Sequence, residues 1–292
     1  MSSARERFAE AMSAELDENP RAALVLADIS TALFRAAARR HPDRVVNVGI
    51  REQAMIGVSA GLSLAGLRPV AHSYAPFLLE RPFEQVKLDL SHQGLGAVLV
   101  SIGASYDASR EGRTHQCPGD VALLDTLPDW TVHVPGHPDE VGRTLRGALS
   151  RTGPVYVRLS ERSNRSPAAG PFSVTRRGHP SSPLVIAVGP LRDAVLEATV
   201  GLDVTVLHLT TVRPFPAEVV ASLEAGDVVV VEPYLKGTSS AAVSAALCSR
   251  PHRLACLGVG NRELRRYGTP EEHERAHGLD PAGIRRALDE FL

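Results

Sequence analysis

Glu52 is a lone carboxylate set where a β-rich run meets a helix, in the segment Val46-Asn47-Val48-Gly49-Ile50-Arg51-Glu52-Gln53-Ala54-Met55. Val45, Val46 and Val48 are β-branched around one Asn and fit a buried strand. Ala54, Met55, Val58, Leu62 and Ala65 then recur at helical spacing, which puts Glu52 in the first helical turn. A carboxylate there meets free backbone N–H groups and the positive end of the helix dipole, so its least demanding task is to stabilise the helix start. A second segment sets Tyr74 and Phe77 three positions apart, shortly before Arg81; rings at that spacing more often build a core than a ligand box. In Glu111-Gly112-Arg113-Thr114-His115-Gln116 a loop histidine is held between Thr and Gln, where its N–H can donate to an oxyanion developing on a substrate. Asp28 follows a strand-like run, a position where Asp serves well as an N-cap.

These residues need a scaffold, and the alternation of the chain supplies one. Strand-like runs at 23–26, 45–48, 97–101, 132–134 and 155–158 are separated by longer helical patterns, the signature of an α/β domain with a parallel sheet. Functional loops in such sheets gather beyond the carboxyl ends of the strands, and each segment above follows a strand. From Ser163 to Pro183 the composition turns to Ser, Pro, Gly and Arg, which reads as an interdomain linker. A second α/β unit follows, with strands expected at 184–188, 203–208, 227–231 and 254–258 and a last helix near 283–291.

Composition bounds the function. The 292 residues are 43% apolar and 22% charged, ordinary for a globular chain of about two domains. A net charge of -1 gives no footprint for nucleic acid or an anionic membrane surface. The N-terminal stretch lacks the apolar core of a signal peptide, and no apolar run approaches the ~18 residues needed to span a bilayer, so a cytoplasmic location is expected. Cys117, Cys248 and Cys256 lack paired metal-ligand spacing; the last two fall in apolar stretches and are expected to behave as small buried hydrophobes, with no disulfide framework.

The Glu52 segment resembles the signature of the pyrimidine-binding domain of thiamine-diphosphate enzymes of the transketolase family. The resemblance extends along nearly the whole chain, through the Thr114-His115-Gln116 loop, the stretch from Pro128 to Glu140, Thr210-Thr211-Val212-Arg213-Pro214, and Tyr267-Gly268-Thr269-Pro270 onward to Asp280. It implies two α/β domains with mainly parallel sheets: a pyrimidine-binding domain over 1–165, a linker over 166–183, and a transketolase C-terminal-like domain over 184–292. It implies that Glu52 hydrogen-bonds N1′ of the aminopyrimidine and switches on the cofactor. Tyr74, Phe77 and Arg81 are carried over as further cofactor-binding residues, with Phe77 the better stacking ring, although this chain is one residue shorter than transketolases nearer the Arg. Asp28 matches a position at the cofactor-binding subunit interface. His115 is expected to be catalytic, with Glu111, Arg158 and Arg162 contacting substrate; the family usually has Asp in place of Glu111, a difference of one methylene.

No Gly-Asp-Gly occurs in the sequence, and a chain beginning about two dozen residues before its first strand is not expected to contain the diphosphate-binding domain. The resemblance is thus to the small subunit of a split transketolase. Thiamine diphosphate would be shared with a separate diphosphate-binding subunit carrying Mg²⁺, in an α2β2 complex, with no metal held by this chain. The reaction expected is transfer of a two-carbon ketol unit from a ketose or 2-oxo acid to an aldehyde-type acceptor. Sugar-phosphate transketolases carry a His where this chain has Gly103 and a Ser where it has Ala32, which leaves a non-phosphorylated or unusual acceptor open; Arg5 or Arg7 could supply an N-terminal contact. A 2-oxo-acid dehydrogenase β subunit shares the two domains, but the Thr-His-Gln loop argues against it. A scaffold that only binds a partner is the remaining alternative, opposed by the joint presence of Glu52, Phe77 and His115.

Overall fold

Parallel strands buried on both faces read as unbroken apolar runs, and two such runs anchor the two halves of the chain. They are β1 (Ala22–Leu26), five residues all buried, and β8 (Leu184–Val188), likewise all buried. The computed structural model describes residues 2–263, 265 and 267–292. Around β1 stand β2 (Val45–Asn47), β3 (Arg68–Tyr74), β4 (Val98–Ile102), β5 (Thr131–His133), β6 (Val155–Arg158) and β10 (Thr211–Arg213), in the order β10-β5-β6-β4-β3-β1-β2. Every pairing in this sheet is parallel except that of β10 with β5. The second sheet has the order β12-β11-β8-β9-β7, with β7 (Phe172–Arg176), β9 (Thr205–Leu209), β11 (Asp227–Leu235) and β12 (Arg253–Val259), and only β7 runs antiparallel. The fold is therefore α/β with two mainly parallel sheets, as the resemblance implied.

Several features depart from the sequence reading, among them β10, which was not expected, and β2, which is half-buried rather than buried. The central strand β3 was not expected, because Arg68, His72 and Ser73 break its apolar pattern, yet all three are buried. His72 is tolerated there because its Nδ1 faces Val100 O at 2.8 Å and its Nε2 faces Ser30 Oγ at 2.8 Å; burial holds it down to about 4, hence neutral. The stretch expected to be linker contains β7, a half-exposed edge strand too polar to announce itself. Cys248 is exposed and Cys256 half-buried; Cys117 is the fully buried thiol, pushed well above its ordinary value by burial, and all three are free.

The halves share a core. One apolar cluster runs from Leu99 and Tyr156 in the first sheet to Leu184, Leu207 and Val228 in the second. β10, which follows β9 in the chain, closes the edge of the first sheet, and Arg213 at its end bonds Asp125 at 2.7 Å. On the opposite face the helix Ala4–Glu18 packs with the helix Val141–Ser150 over β1, β4 and β6. No helix among the described residues is long and apolar enough to cross a membrane.

Glu232, in β11, is a fully buried carboxylate that accepts hydrogen bonds from Gly237 N (2.8 Å) and Ser239 N (3.3 Å). Burial nonetheless pushes it from 4.5 up to about 7. Between those values the folded protein holds a proton that the unfolded chain has released, so stability falls as pH rises through that window. Glu232→Gln should flatten the pH dependence of Tm across this range. Thermal melts in a pH series check it, and a slope equal to wild type would refute the assignment.

Candidate active site

The first sheet changes winding direction between β1 and β3, its neighbours in the order β4-β3-β1-β2, and ligands in open α/β sheets bind beyond the carboxyl ends at such a point. Asp28 lies just past the end of β1, Tyr74 ends β3, Gly103 follows β4, and the turn after β2 leads to Glu52. The backbone is strained here: Asp28 and Ser30 both have left-handed φ values, 62° and 64°.

Asn47 organises this edge and was not singled out by sequence reasoning. Its Oδ1 accepts from Asp28 N (3.0 Å) and Gly49 N (3.1 Å), and its Nδ2 donates to Asp28 Oδ1 at 2.9 Å. A lone amide inside a β-branched run was the available signal. Asp28 therefore spends its carboxylate on Asn47 rather than on a helix N–H. Gly49 takes a left-handed φ of 71°, turning the chain into the helix Glu52–Leu64.

Glu52 is the first residue of that helix and is 2% exposed. Its Oε2 accepts from Arg81 Nη1 at 2.7 Å; among the described residues Oε1 has no partner. The Arg81 guanidinium lies 4.1 Å from the centroid of the Phe77 ring. Both sit on one face because residues 76–80 form a π-type turn, Arg81 N donating to Pro76 O at 3.0 Å, which brings side chains four apart nearly into line. The His115 ring stands 4.9 Å from Phe77 and 5.4 Å from Tyr74, and Tyr74 is 6.1 Å from Phe77, all edge to face. Thr114 Oγ1 lies 3.0 Å from His115 Nδ1, leaving Nε2 without a partner among the described residues. The structure thus joins Glu52, Arg81, Phe77, His115 and Tyr74 in one contiguous set. A buried carboxylate with one oxygen free, set beside an aromatic corner, fits a flat nitrogen heterocycle that exchanges a proton at a ring nitrogen.

Tyr74 also lines a cavity of about 510 Å³ shared with Arg5, Glu6, Asp28, Gly103 and Glu161. A Cβ at Gly103 would lie 2.4 Å from the Tyr74 ring, so that strand end is closed to any side chain.

The structure does not bring the two remaining arginines to this set. Arg158, expected to contact substrate, is 1% exposed and donates from Nε to Asp120 Oδ2 (2.7 Å) and from Nη2 to Ser105 Oγ (2.6 Å). Its position at the end of β6 turns it inward, beneath the loop. Arg162 is half-buried in an ion pair with Glu274 at 2.7 Å. Glu111 is exposed at the end of a short 3-10 turn.

Fold and site together define a two-sheet α/β protein with a buried carboxylate and an aromatic corner at the strand ends of its first sheet. Residues 1–167 match the family described as "Transketolase, pyrimidine binding domain". The chain belongs to the transketolase family, whose members depend on thiamine diphosphate, and it has the form of the pyrimidine-binding small subunit of a split transketolase. It is 50% identical to the "Uncharacterized 33.6 kDa protein in fasciation locus" of Rhodococcoides fascians, over 98% of this chain and 93% of that one. It is 28% identical to one subunit of the apulose-4-phosphate transketolase of Actinobacillus succinogenes, over 96% and 94% of the two chains. A solved structure described as "Split gene transketolase, inactive beta4 tetramer" superposes with a TM-score of 0.86 at 25% identity, covering 100% of this chain and 99% of that one.

Removing one partner of a buried ion pair leaves an uncompensated charge, at about 3–5 kcal/mol. Asp120→Ala should therefore lower the unfolding free energy by that order, whereas Asp17→Ala, at an exposed pair with Arg40, should change it little. Urea denaturation followed by tryptophan fluorescence measures both, and equal effects would contradict the assignment.

Proposed function

We propose that this chain supplies the pyrimidine-binding half of a transketolase whose diphosphate and Mg²⁺ are held by a second polypeptide. The observation that carries this reading is Glu52, buried, held by Arg81 through one oxygen and left free at the other. Bound there, thiamine diphosphate would supply a carbon nucleophile able to move a two-carbon ketol unit from a ketose or 2-oxo acid to an aldehyde-type acceptor. Glu52 Oε1 would hold the proton at N1′ of the pyrimidine, with Arg81 fixing the carboxylate's rotamer. Phe77 and Tyr74 would wall the ring and exclude water from it. His115, through Nε2, would donate to the substrate oxygen on which charge builds.

The cavity composition supports a non-phosphorylated acceptor. Three acidic residues, Glu6, Asp28 and Glu161, line it, Glu6 bonded to Ser3 and Asp28 to Asn47, against Arg5, whose Nε donates to Ser30 Oγ at 3.0 Å. A dianionic phosphate would meet net repulsion there. Arg158 and Arg162 are committed to Asp120 and Glu274. Arg7 is likewise committed, to Glu10 and Asp139.

The isolated chain should lack turnover and gain it on mixing with the partner, as an α2β2 complex measurable by light scattering; robust catalysis by the chain alone would refute the shared site. In the complex, Glu52→Gln should slow exchange of the cofactor C2 proton by about 10²–10⁴-fold, read by NMR, without loss of assembly. Unchanged exchange would return Glu52 to a helix-stabilising role. Glyceraldehyde should show a higher kcat/KM than its 3-phosphate, and the reverse order would overturn the acceptor class.

A further inference from the structure

The His115 loop, residues 104–118, has only two short 3-10 turns, Ser109–Glu111 and Arg113–His115, and one isolated bridge between Ser105 and Cys117. Ordering such a stretch costs about 1–2 kcal/mol per residue in backbone entropy, so something must hold it. Its base is tied on both sides. Arg158 donates to Ser105 Oγ and Glu161 N donates to Asp107 at 2.9 Å on the first-sheet side, while Ser105 Oγ donates to Pro233 O (2.5 Å) and Leu235 N donates to Pro118 O (2.7 Å) on the side of β11.

The tip is held differently. Tyr106 stacks on His273 with centroids 4.0 Å apart and planes 8° apart, and its hydroxyl lies 3.3 Å from His277 Nε2. Ser109, fully buried, donates to Gly268 O at 3.0 Å. Gly112 lies against the Tyr267 ring, where a Cβ would come within 2.7 Å of it. Arg113 Nε pairs with Glu263 at 2.8 Å. All five contacts come from the stretch after β12 and from the helix Pro270–His277 that follows it.

We propose that this stretch of the C-terminal unit is a clamp that fixes the His115 loop, with Tyr267 and His273 as positioning residues for a histidine they do not touch. His115 is set against Phe77 and Tyr74 only while the loop tip is pinned two and three residues earlier, at Arg113 and Gly112. The inference rests on the reading of His115 above for its catalytic consequence, but not for the clamp itself. Tyr267 is 66% exposed, so its truncation does not open a core.

Hydrogen exchange on the full chain, with and without the partner, tests it. Loss of one such contact, about 0.5–1.5 kcal/mol for a typical hydrogen bond, corresponds to roughly two- to twelvefold faster exchange. Tyr267→Ala and Ser109→Ala should each speed exchange of residues 104–118 by this factor and leave residues 52–64 unchanged, and Tyr267→Phe should restore protection. In the complex, Tyr267→Ala should lower kcat/KM while leaving C2-proton exchange at the cofactor as in wild type. Unchanged exchange in 104–118, or faster exchange spread over the whole chain, overturns the clamp. If no acceptor is turned over by the wild-type complex, the functional reading fails while the exchange result still decides the clamp.

Discussion

Asp120 and Arg158 are both shut away from water, and two opposite charges in that position survive only if every donor and acceptor is used. Asp120 Oδ2 accepts from Arg158 Nε and from the Tyr156 hydroxyl at 2.8 Å, and its Oδ1 accepts from Val121 N at 3.0 Å. The Tyr156 hydroxyl in turn meets Ser101 Oγ at 2.7 Å, while Arg158 reaches Ser105. The pair links the end of β6 to the helix that follows the His115 loop, and Ser105 carries the connection on to Pro233 in the second sheet. Loop, first sheet and second sheet therefore meet at one desolvated ion pair. No one of them can shift without exposing a charge that has no other partner.

The site at the strand ends obeys a different rule. There the aromatic corner is held by edge contacts and one guanidinium, and the left-handed Asp28 and Ser30 are kept in place by Asn47 and by the relay from Arg5 through Ser30 to His72. Strain of this kind costs about 1–3 kcal/mol per residue and persists only where surrounding bonds over-determine it. Buried His72, neutral and bonded at both nitrogens, gives that edge a rigid footing inside the sheet.

Much of this was legible in the sequence because parallel strands announce themselves by apolar runs. β1, β4, β6 and β8 fell within a residue or so of expectation, and Glu52 opens its helix where the spacing placed it. β3 and β7 were invisible for opposite reasons: one buries polar residues whose partners lie far away in the chain, the other is an edge strand with little to bury. The same limit applies to side chains. The ring set was expected from the resemblance, since spacing alone favoured a core role for Tyr74 and Phe77; Arg158 pairs with a residue 38 positions away and Arg162 with one in the other half, so spacing could not distinguish a substrate-facing arginine from a structural one either. Asn47 was quoted inside the motif and passed over, because its bonds join two loops that only the sheet brings together.

The two buried carboxylates near the site make the physical contrast plain. Asp120 has both oxygens bonded and no opening toward solvent or ligand, which is how a fold satisfies a charge it means to keep. Glu52 is almost as buried, yet only Oε2 is bonded, to Arg81, while Oε1 accepts from no described residue and is not sealed from solvent. An acceptor left open in this way beside an aromatic corner, at the point where the sheet changes direction, is placed to meet a donor that arrives with a ligand. The carboxylate, held through Oε2 by Arg81, is already aimed when the ligand comes.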